Sequence, residues 1–256
     1  MIWKARCFLT KHSTSPQHSV FARVRNTPVT HLGQVAKSKP RYSSGVLTTA
    51  ALGVAVEKFA NIARKGGDTP YLSHLLAVSA LVMEHGGSEE QAAAALLHDI
   101  IEDCDVSATQ LTDLLVKRGA DQAAAERVTT MVEATTDGQA SDKRNKSDWL
   151  QRKQTYLDGL AAKPPNHPAL LVSLADKVHN AEATLAQVRG GQSANDLYAG
   201  AEFNAKAADQ KWYYTNLAAV FGQQLSSDVN TQPLVRRLAT AVEEIFRDVA
   251  VTGGPQ

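Results

Sequence analysis

Two pairs of ionisable residues stand at the end of an apolar stretch of this sequence. His98 and Asp99 are neighbours, and Glu102 and Asp103 follow them at a spacing of four residues. Residues four apart lie on the same face of a helix, so these groups are expected on adjacent turns of nearly one face. Burying such groups without a partner costs free energy, and a divalent metal ion would supply that partner.

Two further residues, together with His98 and Asp99, form a candidate set of metal ligands. His74 precedes His98 by 24 residues, and Asp176 lies in a later apolar stretch. Taken alone, a histidine on the first turn of a helix is more often a structural residue than a ligand. Together, two histidines and two aspartates offer nitrogen and hard oxygen atoms without a thiolate, which suits Mn²⁺, Mg²⁺, Fe²⁺ or Zn²⁺. The oxygen-rich balance favours Mn²⁺.

Such a site predicts hydrolytic chemistry on a phosphate. A metal ion with four protein ligands and room for six retains space for a water molecule and a phosphate oxygen. The ion would lower the pKa of that water and polarise the phosphorus. Glu102 and Asp103, one turn beyond the ligands, could orient and deprotonate the water.

Helical periodicity and capping residues predict an all-α chain without strands or internal repeats. A capping box formed by Ser88 and Gln91 starts the helix that carries the ionisable pairs, and Ser107 with Gln110 starts the next one. A polar, basic loop, 139–147, is interpreted as a lid or as an ordinary solvated loop. The predicted helices span 48–63, 69–85, 88–103, 107–119, 121–135, 147–162, 169–190, 204–223 and 233–249.

Three ordered segments carry a resemblance to a known family. They are Thr-Pro-Tyr-Leu-Ser-His at 69–74, Ala-Leu-Leu-His-Asp-Ile-Ile-Glu-Asp at 95–103 and Leu-Ala-Asp-Lys-Val-His-Asn at 174–180. They resemble the signatures of the RelA/SpoT-type HD hydrolases, which hydrolyse the alarmones ppGpp and pppGpp. The likeness extends over about 59–221. It is closest to the small, stand-alone hydrolases of the metazoan SpoT homologue type, since the chain has no room for a synthetase domain or regulatory modules.

The resemblance implies an all-α HD-domain helical bundle and assigns roles to individual residues. It implies a metal ion, Mn²⁺, and a water-activating pair, Glu102 and Asp103. It places the nucleotide substrate against a second group of side chains. The implied metal ligands are His74, His98, Asp99 and Asp176, and the implied substrate contacts are Arg64, Lys65, Asn180, Lys153 and Tyr213.

One departure from the family concerns the basic pair, Arg64 and Lys65. The family has a His-x-Gly-Gln segment before this pair, and here the segment is shortened by several residues. Arg64 and Lys65 therefore need not occupy the position that they have in the family, and the recognition of the nucleotide base need not be the same. The metal ligands are not affected.

The function expected from the resemblance is a Mn²⁺-dependent 3′-pyrophosphohydrolase that converts ppGpp to GDP and pppGpp to GTP, releasing pyrophosphate. A second hypothesis keeps the site but has it act on the adenine alarmones, and a physiological variant is an antitoxin enzyme that clears the product of a cognate alarmone-synthetase toxin. An NADPH phosphatase and a non-catalytic nucleotide-binding module are the third and fourth hypotheses. A small-molecule nucleotide is the expected partner, without nucleic acid or membrane, and an apolar face on the last helix would permit a homodimer.

Charge divides the chain into two parts. The first 56 residues contain eight Lys or Arg residues and no acidic residue, whereas the rest carries an acidic excess. We expect a basic arm at 1–44, interpreted as disordered or loosely attached, as transit-like or as the product of a mis-assigned start, followed by the HD domain at 45–250. Two cysteines and the lack of an apolar run of about 18 residues predict a cytoplasmic protein.

Overall fold

The computed structural model describes residues 45–65, 67–136, 149–200 and 205–250, and these form a bundle of helices without strands. The predicted all-α fold class is therefore confirmed. Within the same residues, no helix combines the length and the apolar character that crossing a membrane requires. The helices are α1 Val46–Lys58, α2 Leu72–Glu84, α3 Glu89–Leu97, α4 Ile100–Asp103, α5 Ala108–Lys117, α6 Gln122–Thr135, α7 Trp149–Ala161, α8 Pro168–Arg189, α9 Ala194–Leu197, α10 Ala207–Gln224 and α11 Gln232–Ile245.

Helix α3 lies at the centre of the bundle, in contact with α1, α2, α6 and α8. All its residues from 92 to 97 are buried, four alanines followed by two leucines. Alanine favours the helix and has a small side chain, so neighbouring helices can pack closely around it. The helix that immediately precedes the ionisable pairs is thus packed against four neighbouring helices.

Both predicted capping boxes are confirmed. The Ser88 hydroxyl accepts the backbone N–H of Gln91, and the Gln91 side chain accepts the N–H of Ser88. Ser107 and Gln110 repeat the arrangement at the start of α5. Each box satisfies amides that the start of a helix would otherwise leave unpaired, so these two boundaries are set by local sequence.

Helix α2 starts later than predicted. The sequence placed its start at Thr69, but the helix begins at Leu72. The residues just before α2 form hydrogen bonds with the segment that follows α1. The N–H of Arg64 donates to the carbonyl oxygen of Thr69 at 2.8 Å, and the N–H of Tyr71 donates to the carbonyl oxygen of Ile62 at 2.8 Å. The same pairing ends α1 at Lys58 rather than at residue 63 and creates a narrow antiparallel turn, in which Ala63 bridges Pro70.

Several predicted features lie outside the described residues. These are the basic arm at 1–44, the basic loop at 139–147 and the first residues of the predicted helices at 147 and 204. The short helix α9 was not predicted, although Ser193 caps it by accepting the N–H of Asp196.

Glu89, in the first turn of α3, also stabilises the start of α1. Its Oε1 accepts the N–H of Gly45 at 2.8 Å, the N–H of Thr48 at 3.1 Å and the Thr48 hydroxyl at 2.9 Å. Gly45 is the N-cap residue of α1 and has no side chain to offer these amides. Burial alone would raise the pKa of Glu89, but these hydrogen bonds together outweigh it, and the net shift is downward.

Replacing Glu89 with Ala is expected to lower the free energy of unfolding by about 1 kcal/mol, the typical cost of losing a helix cap. Because the pKa of Glu89 is lowered by folding, this contribution is present above the unfolded pKa of about 4.3 and is lost as the pH falls through the folded pKa. Urea unfolding at neutral and acidic pH would measure both effects.

Glu90→Ala is the matched control, since Glu90 occupies the same turn and makes a surface ion pair with Arg127 at 2.7 Å. A loss below about 0.5 kcal/mol is expected for it. Equal losses for the two variants at neutral pH would contradict the capping role of Glu89.

Candidate active site

Three separate elements bring the predicted metal ligands to one place. His74 lies in the first turn of α2, His98 and Asp99 follow the end of α3, and Asp176 lies within α8. His74, His98 and Asp176 are buried, at 1%, 4% and 6% exposure. Such burial of ionisable residues requires that they satisfy one another or share a partner.

The distances show that four donor atoms converge. His74 Nε2 lies 3.3 Å from His98 Nε2. Asp99 Oδ2 lies 2.9 Å from the His98 nitrogen and 3.7 Å from the His74 nitrogen. Asp176 Oδ1 lies 3.5 Å and 3.2 Å from the same two nitrogens. Donor atoms of His74, His98 and Asp99 all lie within 4.8 Å of one another, so a single ion could contact these three residues, and Asp176 Oδ1 adjoins both histidines.

The helix breaks where the ionisable pairs begin, which corrects the prediction of one continuous helix over 88–103. Helix α3 ends at Leu97, Asp99 has φ −99° and ψ 2°, and α4 starts at Ile100. Adjacent residues of an uninterrupted helix do not face each other. The break allows His98 and Asp99 to point to one centre, whereas Glu102 and Asp103 continue on a separate helical turn.

Hydrogen bonds assign the tautomers of both histidines. His98 Nδ1 lies 2.8 Å from the carbonyl oxygen of Ala95, so it carries the proton and donates. His74 Nδ1 lies 2.8 Å from Nδ1 of His179, which also accepts from Arg64 Nη1 at 3.2 Å, so His74 is again the donor. When the rings are neutral, as in a metal-bound state, both Nε2 atoms would direct lone pairs to the centre, as metal-binding histidines do.

The electrostatics of the centre also call for positive charge. Burial would lower the pKa of His98, but Asp99 and Asp176 outweigh it and raise that pKa well above its ordinary value. Burial would raise the pKa of each aspartate, yet His98 lowers that of Asp99, and Lys177 and the histidines lower that of Asp176. The donor set and its charge fit a divalent cation, which would supply that positive charge.

Neighbouring side chains hold the carboxylates in place. The Tyr71 hydroxyl donates to Asp99 Oδ2 at 2.5 Å. Lys177 Nζ donates to Asp176 Oδ2 at 2.7 Å, and Asn180 Nδ2 donates to Asp176 Oδ1 at 2.6 Å. Each ligand thus retains a fixed orientation, which hydrogen bonds from outside the ligand set provide in metal sites.

A cavity of about 440 Å³ opens beside the ligands. Glu102 and Asp103 line it next to Asp99, and basic residues line another part of its wall, so the cavity carries charges of both signs. All the predicted substrate contacts reach this cavity: Arg64, Lys65, Asn180, Lys153 and Tyr213. The structure thus brings every predicted site residue together, and the roles assigned to them stay predictions.

Lys153 lies in this cavity against two aromatic rings. Its Nζ lies over the Tyr213 ring at 4.9 Å and the Trp149 ring at 5.9 Å. Burial, and then the charge of Lys177, lower the pKa of Lys153 to about 7. Lys177 keeps a raised pKa despite its burial, because it contacts Asp176.

The sequence assigned no role to three residues that contact the ligands. Tyr71 and His179 each lie three residues from a predicted ligand, a spacing that places them on the same helical face as His74 and Asp176. Lys177 adjoins Asp176, and its contact could not be read from helical spacing. Tyr71 and His179 could therefore have been found by applying the three- and four-residue rule to the ligands themselves.

Known proteins share this fold and sequence pattern. The family model of the HD domain matches residues 51–200. A probable guanosine-3′,5′-bis(diphosphate) 3′-pyrophosphohydrolase of Synechocystis is 31% identical over 46% of this chain and 14% of that protein. The guanosine-3′,5′-bis(diphosphate) 3′-pyrophosphohydrolase MESH1 of Xenopus tropicalis is 32% identical over 54% of this chain and 69% of that protein. The resemblance found in the three motifs is thereby confirmed.

A solved structure extends the likeness to the fold. The structure described as a metazoan orthologue of SpoT that hydrolyses ppGpp superposes with a TM-score of 0.56 at 22% identity, over 82% of this chain and 99% of that one. At this identity the match shows a shared fold. The chain spans 14% of the Synechocystis relative and 18% of the GTP pyrophosphokinase rsh of Brucella ovis, both much longer proteins.

Adding Mn²⁺ is expected to raise the melting temperature of the wild-type protein, because an ion that binds only the folded state stabilises it. At 100 times the dissociation constant the gain is about 2.7 kcal/mol. Asp99→Asn should lose most of this shift, whereas Asp113→Asn, an exposed aspartate on α5, should retain it. Thermal unfolding with and without metal measures the effect, and equal shifts in the two variants would argue against the site.

Proposed function

This chain belongs to the HD-domain family, and we propose that it is a 3′-pyrophosphohydrolase of the alarmones ppGpp and pppGpp. The observation that carries the proposal is the cluster of His74, His98 and Asp99, with Asp176 against both histidines, beside an acidic pair in a cavity that basic side chains also line. The curated relatives named as ppGpp 3′-pyrophosphohydrolases support the choice of substrate. We assign 45–250 to the hydrolase domain and 1–44 to an appended arm.

We propose Mn²⁺ as the cofactor, held by His74, His98, Asp99 and Asp176. Two nitrogen and two carboxylate ligands without a thiolate suit this ion. When bound, a divalent cation lowers the pKa of water and polarises a phosphoryl oxygen. The protein's part is to fix the ligands, which the hydrogen bonds from Tyr71, Lys177 and Asn180 do.

Glu102 and Asp103 are the proposed general base and its partner. They line the cavity beside Asp99, one helical turn from the ligands. A carboxylate here can orient a water molecule and take its proton as the water oxygen bonds to the phosphorus next to the 3′ oxygen. The bond from that phosphorus to the 3′ oxygen breaks, so ppGpp and water yield GDP and pyrophosphate.

The basic wall of the cavity is the proposed phosphate-binding surface. Arg64, Lys65 and Lys153 line it together with polar groups that have no hydrogen-bond partner among the described residues. Phosphate oxygens accept several hydrogen bonds, and bonds from cations are the stronger ones. The buried polar atoms in question are Arg152 Nε and the Tyr213 hydroxyl oxygen, and the hydroxyls of Tyr156 and Ser173, which interact with each other, also line the cavity.

Release of pyrophosphate from ppGpp in the presence of Mn²⁺, and its loss with EDTA, tests the proposal. Glu102→Gln keeps the shape of the side chain but removes the base, so kcat should fall by about 10²–10⁴-fold. Asp99→Ala removes a ligand and should abolish turnover. Metal binding measured in parallel should persist in Glu102→Gln and be lost in Asp99→Ala.

The same assay with ppApp and NADPH separates the substrate classes. Turnover of ppGpp well above that of the other two supports the proposal. Turnover of ppApp alone would move the activity to adenine alarmones, and phosphate released from NADPH alone would make the protein a phosphatase. A fully active Asp99→Ala protein would contradict metal-dependent hydrolysis altogether.

The pH dependence of kcat/KM should show the titration of Lys153. Because the pKa of Lys153 is about 7, its charge attracts phosphate below that pH and is lost as the pH rises through it. Lys153→Met is uncharged at every pH, so kcat/KM of wild type should exceed that of the variant by about 10-fold or more at pH 6, the value of one charge-assisted hydrogen bond. The ratio should shrink towards pH 8.5.

The ratio of kcat/KM for wild type to kcat/KM for Lys153→Met cancels the titrations that both proteins share, including those of the substrate and of bound water. Steady-state kinetics at intervals of half a pH unit would measure it. A ratio that stays constant between pH 6 and pH 8.5 would show that Lys153 does not titrate in this range.

A further inference from the structure

Arg64 reaches across the cavity to helix α8. Its Nη1 lies 3.2 Å from His179 Nδ1, and its Nη2 donates to Asn180 Oδ1 at 3.0 Å. The antiparallel turn fixes the start of this side chain, since the Arg64 N–H donates to the carbonyl of Thr69. The shortened segment before Arg64 therefore does not prevent the guanidinium from entering the site.

His179 connects this guanidinium to a metal ligand. Its Nδ1 accepts a hydrogen bond from His74 Nδ1 at 2.8 Å, and the two rings lie 4.9 Å apart at an angle of 43°. Arginine can only donate hydrogen bonds, so its contact with the same Nδ1 fixes that atom as an acceptor, whose single lone pair Arg64 and His74 share. His74 must then keep its proton on Nδ1 and present Nε2 to the ligand centre.

We propose that His179 is a positioning residue for the metal site, which holds the His74 ring in its metal-binding orientation and is itself held by Arg64. The inference rests on the metal site of the proposed function. It assigns Arg64 a place in the surroundings of the metal ligands, in addition to any contact with the nucleotide.

The two histidine ligands differ in how they are anchored. His98 donates to the carbonyl of Ala95, a backbone group of the helix that carries it. His74 lies at the start of α2, and its anchor is a side chain on a different helix, α8. A backbone carbonyl is retained through any substitution, whereas the anchor of His74 is lost when His179 is replaced. A single side-chain substitution outside the ligand set can therefore remove the anchor of His74, but not that of His98.

Other metal sites indicate how much metal affinity should be lost when the hydrogen bond to His74 is removed. Loss of a hydrogen-bond partner behind a histidine ligand typically weakens metal binding by about 10–100-fold. His179→Phe removes the acceptor and keeps a planar ring, so this loss is expected for it. His179→Asn retains an oxygen close to the position of Nδ1 and should bind metal within a few-fold of wild type.

Isothermal titration of the full-length protein with Mn²⁺ measures these affinities independently of catalysis. Arg64→Gln should weaken binding less than His179→Phe does, because His179 can still accept from His74. The control is His85→Phe, which makes the same change at a partly buried histidine whose Nδ1 contacts the carbonyl of Leu81 in α2. Circular dichroism and metal-free melting temperatures show that each variant is folded.

A folded His179→Phe protein that binds Mn²⁺ as tightly as wild type would overturn the inference, as would equal losses in the Phe and Asn variants. The failure of the proposed function has a different signature: wild type would bind Mn²⁺ but release no pyrophosphate from ppGpp. In that case the comparison of affinities would still decide the role of His179. A wild-type protein that binds no divalent cation would overturn both.

Discussion

Two buried carboxylates, Asp99 and Asp176, share a small volume with the lone pairs of two imidazoles. Such a group of donors is stable only if positive charge lies among them, and this requirement shapes the surrounding structure. The upward shift in the pKa of His98 expresses the same demand for positive charge. Hydrogen bonds from a tyrosine, a lysine and an amide hold the two carboxylates in their orientations.

Packing supplies the rigidity that this arrangement needs. The buried alanines of α3 allow four helices to surround it closely, and the ligands emerge where this helix stops. The regular helical backbone is interrupted at His98 and Asp99, between α3 and α4. As a result, two adjacent side chains face one point, which a continuous helix forbids. The interruption is thus an integral part of the site.

Much of this could be predicted from the sequence, for identifiable reasons. Capping boxes and the apolar period are local, so the starts of α3 and α5 and the all-α class followed directly. The break at Asp99 could not be predicted, because the local sequence favours a helix throughout and only the convergence of distant ligands interrupts it. The pairing of Arg64 with Thr69 likewise depends on tertiary contacts, and helix propensity alone extended α1 too far.

The cavity is electrostatically divided, and the two halves complement each other. At one end, carboxylates outnumber protein cations and a metal ion would restore neutrality. At the other, burial and then the charge of Lys177 lower the pKa of Lys153, although Glu102 and Asp176 act in the opposite direction. A nucleotide's phosphates would supply negative charge there. The two halves meet at Asp176, which faces the ligand centre through Oδ1 and contacts Lys177 through Oδ2. A phosphate lying between them would contact the ion and the basic wall together, so the geometry favours a substrate whose reacting group is itself highly charged.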